Sequence, residues 1–74
     1  MLKAYQMGQQ LNIQLRDNKA YLVTVTNNYG QVAATVKMTD QVNIPVSNYQ
    51  KGIYFIKLTN IHDKTTYGTT VMIQ

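Results

Sequence analysis

The chain has no cysteine and no glutamate, and only one histidine, one proline and one serine. Without cysteine there is no disulfide and no thiolate metal site. That absence leaves the compartment open. The acidic complement is Asp17, Asp40 and Asp63, each in its own predicted turn. Paired-carboxylate chemistry needs two carboxyls roughly 5 to 9 Å apart, and three scattered turn aspartates offer no reason to expect such a pair. His62 beside Asp63 is not a metal set, which takes about three or four ligands. Ser47 lies in no nucleophile-elbow context. Gly8, Gly30, Gly52 and Gly68 form no phosphate-cradling loop. No apolar run approaches the roughly 20 residues of a membrane helix, so no membrane insertion is expected. Met1–Gly8 lacks the apolar core of a signal peptide. The expectation is a protein with no catalytic site, no metal and no cofactor.

Charge is scarce and unevenly signed. The net charge is +4, a value that raises the question of nucleic acid. The distribution argues against it. Lys3, Arg16, Lys19, Lys37, Lys51, Lys57 and Lys64 are spread at about one per strand or turn, as solvated strand faces and guarded edges require. No nucleic acid partner is expected.

What the chain does have is alternation. Seventy-four residues, 45% of them apolar, make one domain near the lower end of what a single core supports. Period-two patterning runs through Leu11–Leu15, Tyr21–Thr26, Val32–Val36, Val42–Val46, Tyr54–Leu58 and Tyr67–Ile73. Gly8 ends an earlier strand around Lys3–Met7. Polar breaks at Arg16–Lys19, Asn27–Gly30, Thr39–Asp40 and Asn60–Lys64 read as turns, the last as a hairpin loop. Strand-to-turn spacing of about 8 to 12 residues points to an all-β sandwich or small barrel.

The densest information lies in Asn43–Asn60. Proline cannot donate to a ladder, so the Gln41–Val46 strand is an edge strand or ends at Pro45. Ser47–Gln50 then crosses from one sheet to the other, and Gly52 restarts the chain. Ile53–Asn60 is rich in β-branched and aromatic residues and is expected to be central. Tyr21, Tyr54 and Tyr67 fall on the apolar phase and read as core residues with a polar tip. Tyr29 and Tyr49 read as exposed. Phe55 falls on the opposite phase from Tyr54, Ile56 and Leu58. Either both faces of that strand are covered, or Phe55 marks a contact surface.

The run Asn27–Val32, then Val42–Val46, then Lys51-Gly-Ile-Tyr-Phe-Ile-Lys-Leu-Thr59, then a closing strand ending at Gln74, resembles the C-terminal sorting domain of type IX secretion cargo from Bacteroidota. The similarity covers roughly Leu11 to Gln74. Its most specific element is Gly52-x-Tyr54 followed by alternating apolar residues, and the next is Gly30. Thr66-Tyr-Gly68 also resembles short secreted Bacteroides domains of unknown function. Family members often open with a proline-containing element and end in a lysine-containing strand; Lys3–Gln10 and Thr69–Gln74 have neither. The resemblance implies an immunoglobulin-like antiparallel β-sandwich of about seven strands. It implies residues 1–74 as a single module at the end of a longer secreted protein, exported through the periplasm and outer membrane. It makes the type IX translocon and sortase the partners, with a host cargo domain ahead of it. The candidate recognition motif is Gly30, Lys51, Gly52, Tyr54 and Phe55. An unpaired strand edge adds the prospect of a strand-swapped homodimer. Two other readings stand beside this one: a linking immunoglobulin-like module of a surface protein with no sorting role, and a small sugar- or nucleic-acid-binding β-domain.

Overall fold

A computed structural model describes Met1–Gln74. The alternating runs form five strands: β1 (Lys3–Met7), β2 (Gln10–Asn27), β3 (Val32–Pro45), β4 (Gly52–Asn60) and β5 (Thr66–Ile73). All pairings are antiparallel, in the order β1-β2-β4-β5, with β3 paired to β2 as well. The first half of β2 lies between β1 and β3, and its second half between β3 and β4. The sheet curls so that β1 comes round to β5 as a half-barrel.

About seven strands in a sandwich were expected; the chain has five in one curled sheet. The difference lies at two polar breaks that are not turns. Arg16–Lys19 sits inside β2 and Thr39–Asp40 inside β3. There the register slips between Leu15 and Ala20. Asn18 and Asp40 take positive φ of 65° and 70°, which short polar side chains tolerate best. The Asn18 N–H donates to Asp40 Oδ1 at 3.0 Å. Both strands bend together at this corner and continue.

The concave side holds one core cluster, including Leu11, Ile13, Val23, Val25, Ile56 and Leu58. Burying such aliphatic side chains contributes roughly 1.5–3 kcal/mol each. Every buried side-chain polar atom has a hydrogen-bond partner. Asn60, itself buried, accepts from the N–H groups of His62 and Asp63 at 2.8 and 3.1 Å, closing the β4–β5 loop as expected. β3 is an edge strand that ends at Pro45. Val46 N–H donates to Gln9, so Pro45, one residue earlier, turns its donor-less nitrogen away from β2.

Candidate functional site

The segment after Pro45 crosses from the first half of the curled sheet to the second. A turn in which Tyr49 N–H donates to Val46 O at 3.0 Å carries it to Lys51, which is exposed. Gly52 opens β4 with φ +145°, a conformation L side chains rarely adopt, although nothing lies within 4 Å of where a Cβ would stand. Its glycine is therefore required by backbone conformation and not by space. Tyr54 is buried, and its hydroxyl donates to Gln50 O at 2.6 Å. Its ring packs on Tyr49 with centroids 5.4 Å apart and planes tilted 32°. Tyr54 thus ties the crossover to the strand that follows it. Tyr49, expected to be exposed, is half-buried by this contact. Burial pushes the Tyr49 phenol above its ordinary range, and Tyr54 adds to the shift.

The other strand face points outward. Phe55 is 50% exposed, which answers the two-sided question: only one face of β4 is covered. The register sets Thr70 on one side of it and Thr26 on the other, with Val32 beyond Thr26. Ile53 and Met72 face each other one step along and are both exposed. Ile53, Met72 and Phe55 form an apolar patch on the convex face of β4 and β5, and Val32 is exposed on the same face across Thr26. Beside it a groove of about 830 Å³ runs past Asn27, Gly30, Phe55, Lys57 and Gly68. Gly68 stands opposite Lys57 and leaves a dent where a side chain would be. Gly30, at φ +84°, shapes the rim. Its hairpin is closed by Asn27, whose N–H donates to Gln31 O at 2.9 Å and whose Oδ1 accepts from the Tyr29 and Gln31 N–H groups, both at 2.9 Å.

The five expected site residues therefore divide. Gly30 and Phe55 share the outer groove; Lys51, Gly52 and Tyr54 belong to the crossover. Ile53 and Met72 were missed. Both lie on the outward phase with Phe55, and that parity was the signal.

None of the three aspartates lines the groove. Asp17 and Asp40 sit at the corner, and Asp63 lies in the β4–β5 loop within the field of Lys19. The Tyr21 hydroxyl donates to Asp17 and holds that carboxyl below its usual range, while Tyr21 itself is pushed up to about 12. Tyr67, expected in the core, stacks edge-on against Tyr21 at 6.0 Å but stays 45% exposed. Asp63 is lowered by the Thr65 N–H and hydroxyl. No three His, Asp or Glu side chains converge as metal ligands.

The chain is thus a small all-β domain whose distinguishing features are an exposed apolar face and a riveted crossover. It matches the secretion system C-terminal sorting domain over residues 7–74 and belongs to that family. It is a C-terminal sorting signal for type IX secretion, which directs export across the outer membrane to the cell surface or beyond. The family is one of sorting signals, in general non-catalytic, that act with the type IX machinery on an attached cargo. No curated protein matches the chain.

Proposed function

We propose that the type IX translocon recognises this domain folded, through the convex face of β4 and β5. The carrying observation is the patch of Ile53, Met72 and Phe55, exposed on a face with no packing use for it. Phe55 and the groove beside Gly30 make the contact. Lys51, Gly52 and Tyr54 act indirectly, by setting the crossover that fixes where β4 starts. The domain is non-catalytic, ends a longer secreted chain whose cargo precedes it, and is handed to the sortase after export. Its curled sheet is in effect an immunoglobulin-like sandwich in which β2 and β3 each serve both layers.

The test fuses the domain to a secreted reporter in a type IX-competent host. Phe55→Ser keeps the thermal midpoint of the isolated domain and loses export. Unchanged export by Phe55→Ser together with Ile53→Ser would overturn the assignment of the face.

A further inference from the structure

The long strand β3 has an edge that no other strand faces. β1 and β5 turn their outer edges toward each other, whereas β3 touches β2 alone. The direction of its free backbone groups follows from two hydrogen bonds. Asn27 N–H donates to Gln31 O, and Val46 N–H donates to Gln9 O. Odd-numbered residues of β2 therefore direct their backbone groups at β3, and in register Ala34, Val36 and Met38 answer them. The N–H and C=O groups of Thr35 and Lys37 point out of the sheet.

The two halves of this edge are guarded differently. Gln41–Pro45 lies beyond the Asp40 bend and ends in proline. Between the bulge at Ala33 and the Asp40 bend, Ala34–Met38 has no proline, no glycine and a single charge, Lys37, which is little protection for an edge. Its core-facing side chains are also incompletely covered. Ala34 and Val36 are half-buried, while Val23 and Val25 on β2 and Ile56 and Leu58 on β4 are closed to solvent.

We propose that Ala34–Met38 pairs antiparallel with the same segment of a second copy, edge to edge and without exchange of strands. A two-fold axis through Val36 sets Thr35 of one copy against Lys37 of the other. It satisfies the outward backbone groups of both. On the core face it sets Ala34 against Met38 and Val36 against Val36, so every pair there is apolar and the half-covered side chains are closed. Shifting the axis to Lys37 would face two lysines, which cross-strand pairing disfavours, and shifting it to Thr35 would bring the Ala33 bulge into the ladder opposite Lys37. The register is thus selected by this chain's own residues, which is why a second copy is the occupant. The two convex faces stay open, and the sheets join into one layer.

Analytical ultracentrifugation of the 74-residue chain tests this. The interface is small, so the dimer is weak and exchanges rapidly. Each copy carries +4, so association tightens as salt rises. Thr35 is exposed, and Thr35→Lys and Thr35→Glu both keep the native circular dichroism and thermal midpoint. Thr35→Lys places two like-charge pairs across the ladder and weakens the dimer by roughly tenfold at low salt. Thr35→Glu creates two opposite-charge pairs and tightens it by a similar factor. A chain that stays monomeric up to millimolar concentration overturns the proposal. So do equal effects of the two substitutions, or a dimer that fails to dissociate on dilution, the mark of exchanged strands.

Discussion

Replacing Gly52 with valine puts a β-branched side chain on a backbone at φ +145°. The space around the Cβ is open, with nothing within 4 Å, so the Cβ itself meets no neighbour and the expected cost is backbone strain. Such conformations cost on the order of 1–3 kcal/mol outside glycine. A chain of 74 residues has a total stability of about 4–11 kcal/mol at the usual value per residue. The substitution therefore removes a large fraction of it and lowers the thermal midpoint by roughly 5 to 20 °C. Gly52→Ala separates strain from clash. Both variants carry a Cβ and suffer the same strain, so alanine loses nearly as much as valine. Differential scanning calorimetry of the two variants against the native chain measures this. On the proposed assignment, in which Gly52 acts only by setting the start of β4, export of a fused reporter falls with stability. A Gly52→Ala variant with the native midpoint would sink the reasoning, since φ would then not be held at this position. A large loss for valine with none for alanine would point to crowding instead.

Tyr54→Phe keeps the ring on Tyr49 and removes only the hydrogen bond to Gln50 O, costing about 1 kcal/mol; Tyr54→Ala costs about 3–5 kcal/mol. Thermal unfolding distinguishes the two. Tyr21 has a raised pKa of about 12 in the fold, so the stability it contributes is complete below its ordinary value of 10.0 and is lost as pH rises through about 12. Asp17 is lowered, so its share is present above its ordinary value and lost as pH falls through the depressed one. Tyr21→Phe removes the alkaline loss, read by tyrosinate absorbance alongside unfolding. Gln6 clasps Gln74: its Nε2 donates to Gln74 O at 3.0 Å, and Gln74 N–H donates to its Oε1 at 2.7 Å. Gln6→Leu speeds hydrogen exchange at Met72 and Gln74 while costing under about 1 kcal/mol of global stability.

The alternating runs legible in the sequence lie in strands up to Pro45, but Val32, read on one face with Ala34 and Val36, turns outward instead at the Ala33 bulge. The central place of β4, the edge character of β3 and the Asn60–Lys64 loop all follow from residue type. The strand count did not, because Arg16–Lys19 and Thr39–Asp40 have turn composition. A subtler signal was present. Leu11, Ile13 and Leu15 share odd parity with Tyr21, Val23 and Val25, and Ala34, Val36 and Met38 share even parity with Val42 and Ile44. A strand that bends without reversing keeps the same residues on the concave side, so a corner requires unbroken parity, although the crossover from Val46 to Tyr54 keeps it as well. Tyr49 escaped for a different reason. Its partner Tyr54 lies across the crossover, and no local pattern announces a contact made by the path of a loop.

The two convex faces of the curled sheet differ in what they offer a partner, which is the ground for the face proposed above. Over the first half, Tyr5, Asn12 and Asn43 stand in register. Asn12 Nδ2 donates to Asn43 Oδ1, and Gln14 Nε2 donates to Asn12 Oδ1, both at 2.6 Å. These amides satisfy one another, so a docking protein would have to break or match each bond to gain anything. Over the second half, Phe55, Ile53 and Met72 have no such commitments, and covering them releases water without breaking a hydrogen bond. The acidic groups sit at the corner and in the β4–β5 loop, leaving Lys57 and Lys37 as the charges on this face. A partner that covers it is therefore apolar at its centre and neutral or acidic at its rim. Lys57→Glu should weaken recognition without unfolding the domain, whereas a charge reversal at Arg16, which lies beside Gln41 on the amide side, should leave export unchanged.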